Sequence, residues 1–209
     1  MLLIALAVYL NSDSGNAVAI EQRDVDVAWN DRTSLGNPEA VVVVEAWEDF
    51  MCPACQQWAS QIEPQIYEEY VKPGLVRLEF HQFPLTMHAP GAQMGAMASE
   101  CAADQGQFWP YHDRLFLEAA SRGQAGLQLE RLVDYAGDLS MDTSAFRQCL
   151  TTQQHRSTVD ASVSEAISLG LNSTPSIRIN EQLVDAPFDY NSISAQIDGI
   201  LAAAGISKE

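Results

Sequence analysis

The sequence predicts an α/β fold whose chain is interrupted by an all-helical block, and three observations predict it. A continuous β-branched run, Val41-Val42-Val43-Val44, leads into a helical stripe and then a second strand. From Thr86 to about Ser168 the pattern is helical throughout. Strand signals then return at Ser176 to Asn180 and at Leu183 to Val184.

Each element has a local reason. The run from Val41 into Glu45-Ala46-Trp47 reads as a strand buried on both faces of a sheet. Apolar residues then recur at Trp58, Ile62, Ile66 and Tyr70, a helical stripe stopped by Pro73-Gly74 and kinked near Pro64. Leu75 to Phe83 supplies the next strand, ended by Pro84, and strand, helix, strand in this order implies a right-handed parallel crossover. The block that follows divides into helices at Ala92 to Ala103, Gln107 to Ala120, Leu127 to Ala136, Ser144 to Thr151 and Thr158 to Leu169, the last capped by Gly170. Phe108, Trp109, Leu115 and Phe116 read as its core, and His81 and His112 as ordinary hydrogen-bonded or exposed side chains. The returning strands are so close that they form an antiparallel hairpin, and Asn191 to Ala204 closes the chain with a helix burying Ile193, Ile197, Ile200 and Leu201.

A chain of 209 residues, 47% hydrophobic and 19% charged, is globular and suits one large domain or one domain carrying an insertion. Eleven Lys plus Arg against 28 Asp plus Glu leave a formal charge of −17, which repels phosphate and excludes nucleic acid or an anionic membrane surface as partner. Met1 to Leu10 is apolar throughout and Ala17-Val18-Ala19 follows a polar stretch, the pattern of a secretory signal cleaved after Ala19. No Lys or Arg precedes the apolar run, so either the start is truncated or residues 1–19 are the remnant of a membrane anchor, although ten residues are too short to span a bilayer as written. The expected location is therefore periplasmic or otherwise extracytoplasmic.

Four cysteines are too few for a disulfide scaffold in an exported chain of this size, so each needs its own explanation. Cys52 and Cys55, in Cys52-Pro53-Ala54-Cys55, fall where a strand hands over to a helix N-terminus, with Pro53 at the first helical position. Two thiols at this spacing lie within disulfide reach, and the first faces the free N–H groups of the helix start. A thiolate stabilised there is both nucleophile and leaving group, as thiol–disulfide exchange requires, and Cys55 is placed to resolve a mixed disulfide from within. The competing reading, half of a zinc site, lacks a second Cys-x-x-Cys, and the four histidines form no H-x3-5-H pair. A reading from another class is a copper-binding or delivery module, in which Cys52 and Cys55 combine with Met51, Met87, His88, Met94 and Met97 as soft ligands. Against it, Met94 and Met97 at i, i+3 also read as one apolar helix face. A Ser-His-Asp hydrolase is excluded for want of a Gly-x-Ser-x-Gly turn. Cys101 and Cys149 stand 48 positions apart and form a structural disulfide, two buried thiols or a second relay.

These residues resemble the thioredoxin superfamily and, within it, the DsbA-like thiol:disulfide oxidoreductases with a helical insertion. The resemblance is carried by Asp49-Phe50-Met51-Cys52-Pro53-Ala54-Cys55, Phe83-Pro84-Leu85, Cys101 to Trp109 and Asn172-Ser173-Thr174-Pro175, and so spans nearly the whole mature chain. It implies a thioredoxin-like mixed sheet flanked by helices, with core segments 20–85 and 169–209 around an all-helical subdomain at 86–168. It implies that Pro175 is cis and packs against the Cys52–Cys55 disulfide, and that the backbone of Thr174 pairs with substrate peptide by β-augmentation. The activity implied is exchange with unfolded or reduced protein substrates, without cofactor or metal, with reoxidation by a membrane quinone-linked partner of the DsbB or VKOR type. A reductase or isomerase would run the same chemistry from a reduced resting state. Two departures stand out. Many relatives carry a buried Glu six residues before the first cysteine, where this chain has Ala46, so Glu45 or Glu48 must supply the acid if its side chain reaches the sulfurs. The dipeptide between the cysteines is Pro53-Ala54 rather than the Pro-His of strongly oxidising members, which implies a milder oxidant than one near −120 mV.

Overall fold

The computed structural model describes residues 30–208; the expected signal or anchor at 1–19 lies outside them. In chain order the elements are β1 (Asn30–Asp31), β2 (Ser34–Leu35), β3 (Val42–Glu48), α1 (Pro53–Gln61), α2 (Glu63–Ile66) running into a π turn (Tyr67–Val71), and β4 (Val76–Gln82). A 3-10 turn (Thr86–His88) leads to α3 (Gly91–Ala103), α4 (Phe108–Arg122), a second 3-10 turn (Gly123–Leu127), α5 (Leu129–Asp138), α6 (Thr143–Thr151) and α7 (Arg156–Ser168). The chain ends in β5 (Ser176–Ile179), β6 (Gln182–Leu183) and α8 (Tyr190–Ala203).

The six strands form one mixed sheet in the order β1-β2-β4-β3-β5-β6. β3 lies at its centre, parallel to β4, with Val44 opposite Leu78, and antiparallel to β5, with Val44 opposite Ile179. The N-terminal hairpin β1–β2, which adds two short strands beyond β4, has no sequence pattern of its own: two-residue strands are below the length at which alternation can be read. The β5–β6 hairpin closes through Asn180 and Glu181, both at positive φ (45° and 68°), the backbone of the turn that matches strand twist.

Alternation sorts the sheet into two unlike faces. Val42, Val44 and Ala46 of β3, Val76, Leu78 and Phe80 of β4, and Ile177 and Ile179 of β5 share one core with α1, α2 and α8. The opposite face carries Glu45, Glu79 and Arg178 in cross-strand register, with Trp47 stacked on His81 at 4.1 Å and packed with Ala166 of α7. The helical block is not a separate body. Phe50 and Phe80 meet Phe108, His112 and Phe116 of α4 at centroid distances of 4.8 to 5.7 Å, so sheet and block are continuous through one aromatic cluster. α7 ends as its sequence requires, with Gly170 at φ 77° letting Leu171 N–H reach back to the Ala166 carbonyl. The helix after Cys55 is broken rather than merely bent: α1 stops at Gln61, and α2 restarts one residue on with Glu63 ahead of Pro64. Among the described residues no helix is long and apolar enough to cross a membrane.

Candidate active site

β3 ends at Glu48, and a tight turn from Asp49 to Cys52 delivers the chain to α1. Cys52 is the N-cap residue in extended conformation (φ −76°, ψ 121°), with Pro53 immediately after it. Its N–H donates to the Asp49 carbonyl (2.9 Å), and its own carbonyl accepts from Gln56 N–H (3.0 Å). Both cysteines are free thiols; Cys52 is 7% exposed and Cys55 fully buried. Opposite them, the loop before β5 brings in Thr174 and a cis Thr174–Pro175 bond, and the Cys52 thiol donates to the Thr174 carbonyl at 3.3 Å.

The two sulfurs have opposite electrostatics. The hydrogen bond from the Cys55 thiol does most to lower Cys52, to about 5; burial opposes it, while the Thr174 side chain and the backbone N–H groups of Ala54 and Cys55 add to it. Cys55 is pushed well up, first by burial, then by its bond to Cys52 and by the negative charge of Glu48, with only the Asp49 N–H (3.5 Å) working the other way. At neutral pH the Cys52 sulfur is therefore a thiolate and that of Cys55 a thiol.

The two acid candidates separate by strand parity. Glu48 shares the face of Ala46, is 1% exposed and carries the charge felt by Cys55. Glu45 is corrected: as an odd-numbered residue of β3 it points to the opposite face, where it pairs with Arg178 (3.3 Å) and lies 4.0 Å from His81. A strand side chain cannot change face without a slip of register, so Glu45 gives the cysteines no support.

Three further groups near the cysteines, Asp49, Glu63 and His112, had no role at the site assigned from sequence. Asp49, buried, accepts Met51 N–H (2.8 Å), Leu85 N–H (2.9 Å) and a hydrogen bond with His88 Nδ1 (2.7 Å), fixing the turn before Cys52 to the loop and 3-10 turn that follow β4. Its Asx turn was legible as an Asp three positions ahead of Cys52. Glu63 and His112 are both fully buried, and their ligand atoms and that of Glu48 all lie within 4.8 Å of one another. Oxygen and imidazole donors of this kind suit a hard cation and not Cu(I). The soft side chains of the copper reading are dispersed: Met87 is 81% exposed, Met97 is buried in the core, and His88 is held by Asp49. Cys101 of α3 and Cys149 of α6 are joined in a disulfide with a Cα separation of 6.0 Å, inside the helical block.

A family model described as Thioredoxin matches residues 30–199, from the first described strand to within α8. The chain belongs to the thioredoxin family. This thioredoxin-family chain is 29% identical over 175 residues to a probable disulfide bond formation protein D of Bacillus anthracis, covering 82% of this chain and 79% of that one. It is also 33% identical over 180 residues to the Na(+)/H(+) antiporter NhaA 3 of Salinispora tropica; the match takes 86% of this chain but spans only 26% of the antiporter. Among solved structures, oxidised BdbD from Bacillus subtilis superposes with a TM-score of 0.74 at 25% identity, covering 81% of this chain and 92% of that one. Wolbachia pipientis α-DsbA1 gives 0.72 at 23% identity over 82% and 92%, which shows the shared fold. The thioredoxin-family chain thus has the DsbA-like architecture, a mixed sheet flanked by helices with a helical insertion.

Proposed function

We propose that this protein, a thiol:disulfide oxidoreductase, acts outside the cytoplasm and passes the Cys52–Cys55 disulfide to reduced, unfolded proteins. The observation that carries the reading is the asymmetry of the sulfurs, one near the surface and lowered to about 5, the other buried and pushed up. A substrate thiolate attacks Cys52 Sγ, and the disulfide breaks with its electron pair on Cys55. The mixed disulfide is then attacked by a second thiolate of the substrate, and Cys52 leaves readily because its thiolate is stable at neutral pH. The substrate departs oxidised and the enzyme reduced. The Thr174–Pro175 loop suits an extended peptide paired along the Thr174 backbone, with Pro53 and Ala54 flanking the reactive sulfur. Electrons leave through a membrane quinone-linked partner of the DsbB or VKOR type, and no cofactor enters the cycle.

The test is refolding of a reduced, unfolded disulfide protein by stoichiometric oxidised enzyme, wild type against Cys52→Ser. Regain of native disulfides with wild type, and none with the variant, is the expected outcome. Oxidised wild type that leaves the substrate thiols untouched would refute an oxidase.

A further inference from the structure

We propose that Cys101, Cys149 and His155 bind a zinc ion when the Cys101–Cys149 disulfide is reduced, so that α3 and α6 are tied by a sulfur–sulfur bond in one redox state and through a metal ion in the other. The site is separate from Cys52 and Cys55 and does not depend on the exchange cycle proposed above.

The three donors come from three helices. Cys101 lies near the end of α3 and Cys149 near the end of α6, 1% and 7% exposed, and His155 is the N-cap residue of α7 with its side chain 12% exposed. The two sulfurs and a ring nitrogen of His155 all lie within 4.8 Å of one another. The turn after α6 puts the histidine there. Gln153 takes φ 54°, and the N–H groups of Gln153 and Gln154 reach back to the carbonyls of Leu150 (3.1 Å) and Cys149 (3.0 Å), which ends the helix and folds the chain back toward Cys149. The ring is held by Asp104, the residue that closes α3 just after Cys101: His155 Nε2 lies 2.6 Å from Asp104 Oδ2. Asp104 in turn accepts from Arg32 (2.9 Å) and from the Gln154 side-chain amide (3.1 Å).

A disulfide does not call for such a neighbour, because neither sulfur needs a hydrogen-bond donor or a charge beside it. A metal site does. Metal-binding histidines give one ring N–H to a carboxylate, which fixes the tautomer and leaves the lone pair of the other nitrogen for the ion. Two thiolates and one neutral imidazole are a zinc donor set, with water completing the tetrahedron. The two thiolate charges match that of Zn²⁺, so filling this buried site adds no net charge to the interior, and the charge of Asp104 is already met by Arg32. The Cα separation of 6.0 Å lets both cysteines reach one ion: thiolates about 2.3 Å from a tetrahedral zinc stand about 3.8 Å apart, a spread that rotation of the two side chains supplies. Atoms and electrons balance. A dithiol reductant gives two electrons and two protons to the Cys101–Cys149 bond and leaves as its own disulfide. Zn²⁺ then displaces both thiol protons. Exchange with an oxidised disulfide withdraws the two electrons, re-forms the Cys101–Cys149 bond and releases the ion.

The test uses the full chain carrying Cys52→Ser and Cys55→Ser, so that no other thiol can take the metal. This chain is reduced with a phosphine without oxygen and titrated with Co²⁺ and then Zn²⁺. The expected result is one Co²⁺ per chain, with the visible bands of a tetrahedral site and a thiolate charge-transfer band, both removed by Zn²⁺ and both absent from the oxidised chain. Adding His155→Gln should weaken Zn²⁺ binding by about tenfold or more. In parallel, Zn²⁺ should raise the guanidinium midpoint of the reduced parent chain and leave that of the oxidised chain in place, a measurement that needs no change at His155. A reduced chain that takes up no Co²⁺ overturns the proposal, as does a His155→Gln chain that binds as tightly as its parent. A midpoint that Zn²⁺ does not move in the reduced chain, or moves equally in the oxidised one, overturns it as well.

Discussion

Replacing Cys55 with Ala removes the hydrogen bond that contributes most to the lowering of Cys52, and the thiolate should lose much of its stability. From the ordinary 9.0 to about 5 is four units; at 1.36 kcal/mol per unit, discounted by about half for solvent at the partly open sulfur, that is on the order of 2 to 3 kcal/mol. The Cys55 thiol is the first of several causes, so Cys55→Ala should raise the inflection of Cys52 by more than about one unit, while Cys55→Ser, whose hydroxyl still donates, should raise it less. The assay is the rate of iodoacetamide alkylation of Cys52 against pH, with the modified cysteine identified by mass. An inflection that stays near 5 in Cys55→Ala would refute the reasoning and assign the thiolate to the helix N-terminus and Thr174 alone. The same value bounds the reduction potential. A thiolate at about 5 falls between the near-7 thiolate of thioredoxin and the near-3.5 thiolate of DsbA, and converting those gaps at pH 7 places the Cys52–Cys55 couple between about −220 and −160 mV. Equilibration with glutathione buffers measures it, and a value at or above −120 mV or at or below −270 mV contradicts the working. Within this range the couple still oxidises dithiols to structural disulfides, whose potentials lie below about −300 mV.

The remaining predictions concern the scaffold. Substituting both Cys101 and Cys149 with Ser opens a loop of 48 residues and should lower stability to guanidinium by about 4 kcal/mol on chain entropy, less any strain relieved, while exchange at Cys52 continues. Loss of exchange in the folded double variant would make this disulfide a relay. Arg32 bonds Glu100 (3.0 Å) and Asp104 (2.9 Å). Burial pulls the Asp104 carboxyl upward, but the hydrogen bonds from Arg32 and His155 outweigh it and hold it below its ordinary 3.8. A carboxylate held low in the fold contributes stability above its unfolded value and loses it as pH falls through the folded one, so wild type should weaken on acidification below about pH 4. Arg32→Ala should cost about 1 to 3 kcal/mol at neutral pH, by leaving buried Glu100 without its cation, and should flatten that acid limb. Parallel melting curves for the two proteins on acidification would refute it.

Local signals determined much of this protein. Val41 to Trp47, the stripe from Trp58 to Tyr70, the long helical stretch and the returning hairpin were legible because alternation, helical spacing and Gly or Pro stops act within a few residues. The cysteine pair at a helix start was legible for the same reason, since four consecutive residues, Cys52 to Cys55, define its geometry. The tertiary structure decided the rest. Which of Glu45 and Glu48 sits under the sulfurs is a matter of sheet register, invisible until the neighbouring strands are aligned. Glu63 and His112 lie 11 and 60 positions after Cys52 and meet Glu48 only when a broken helix and an inserted one pack against the same end of the sheet. The β1–β2 hairpin exists only because β4 offers it an edge. Sequence patterns record what a residue does to its own segment; the charge around a buried sulfur depends on which distant segments bury it.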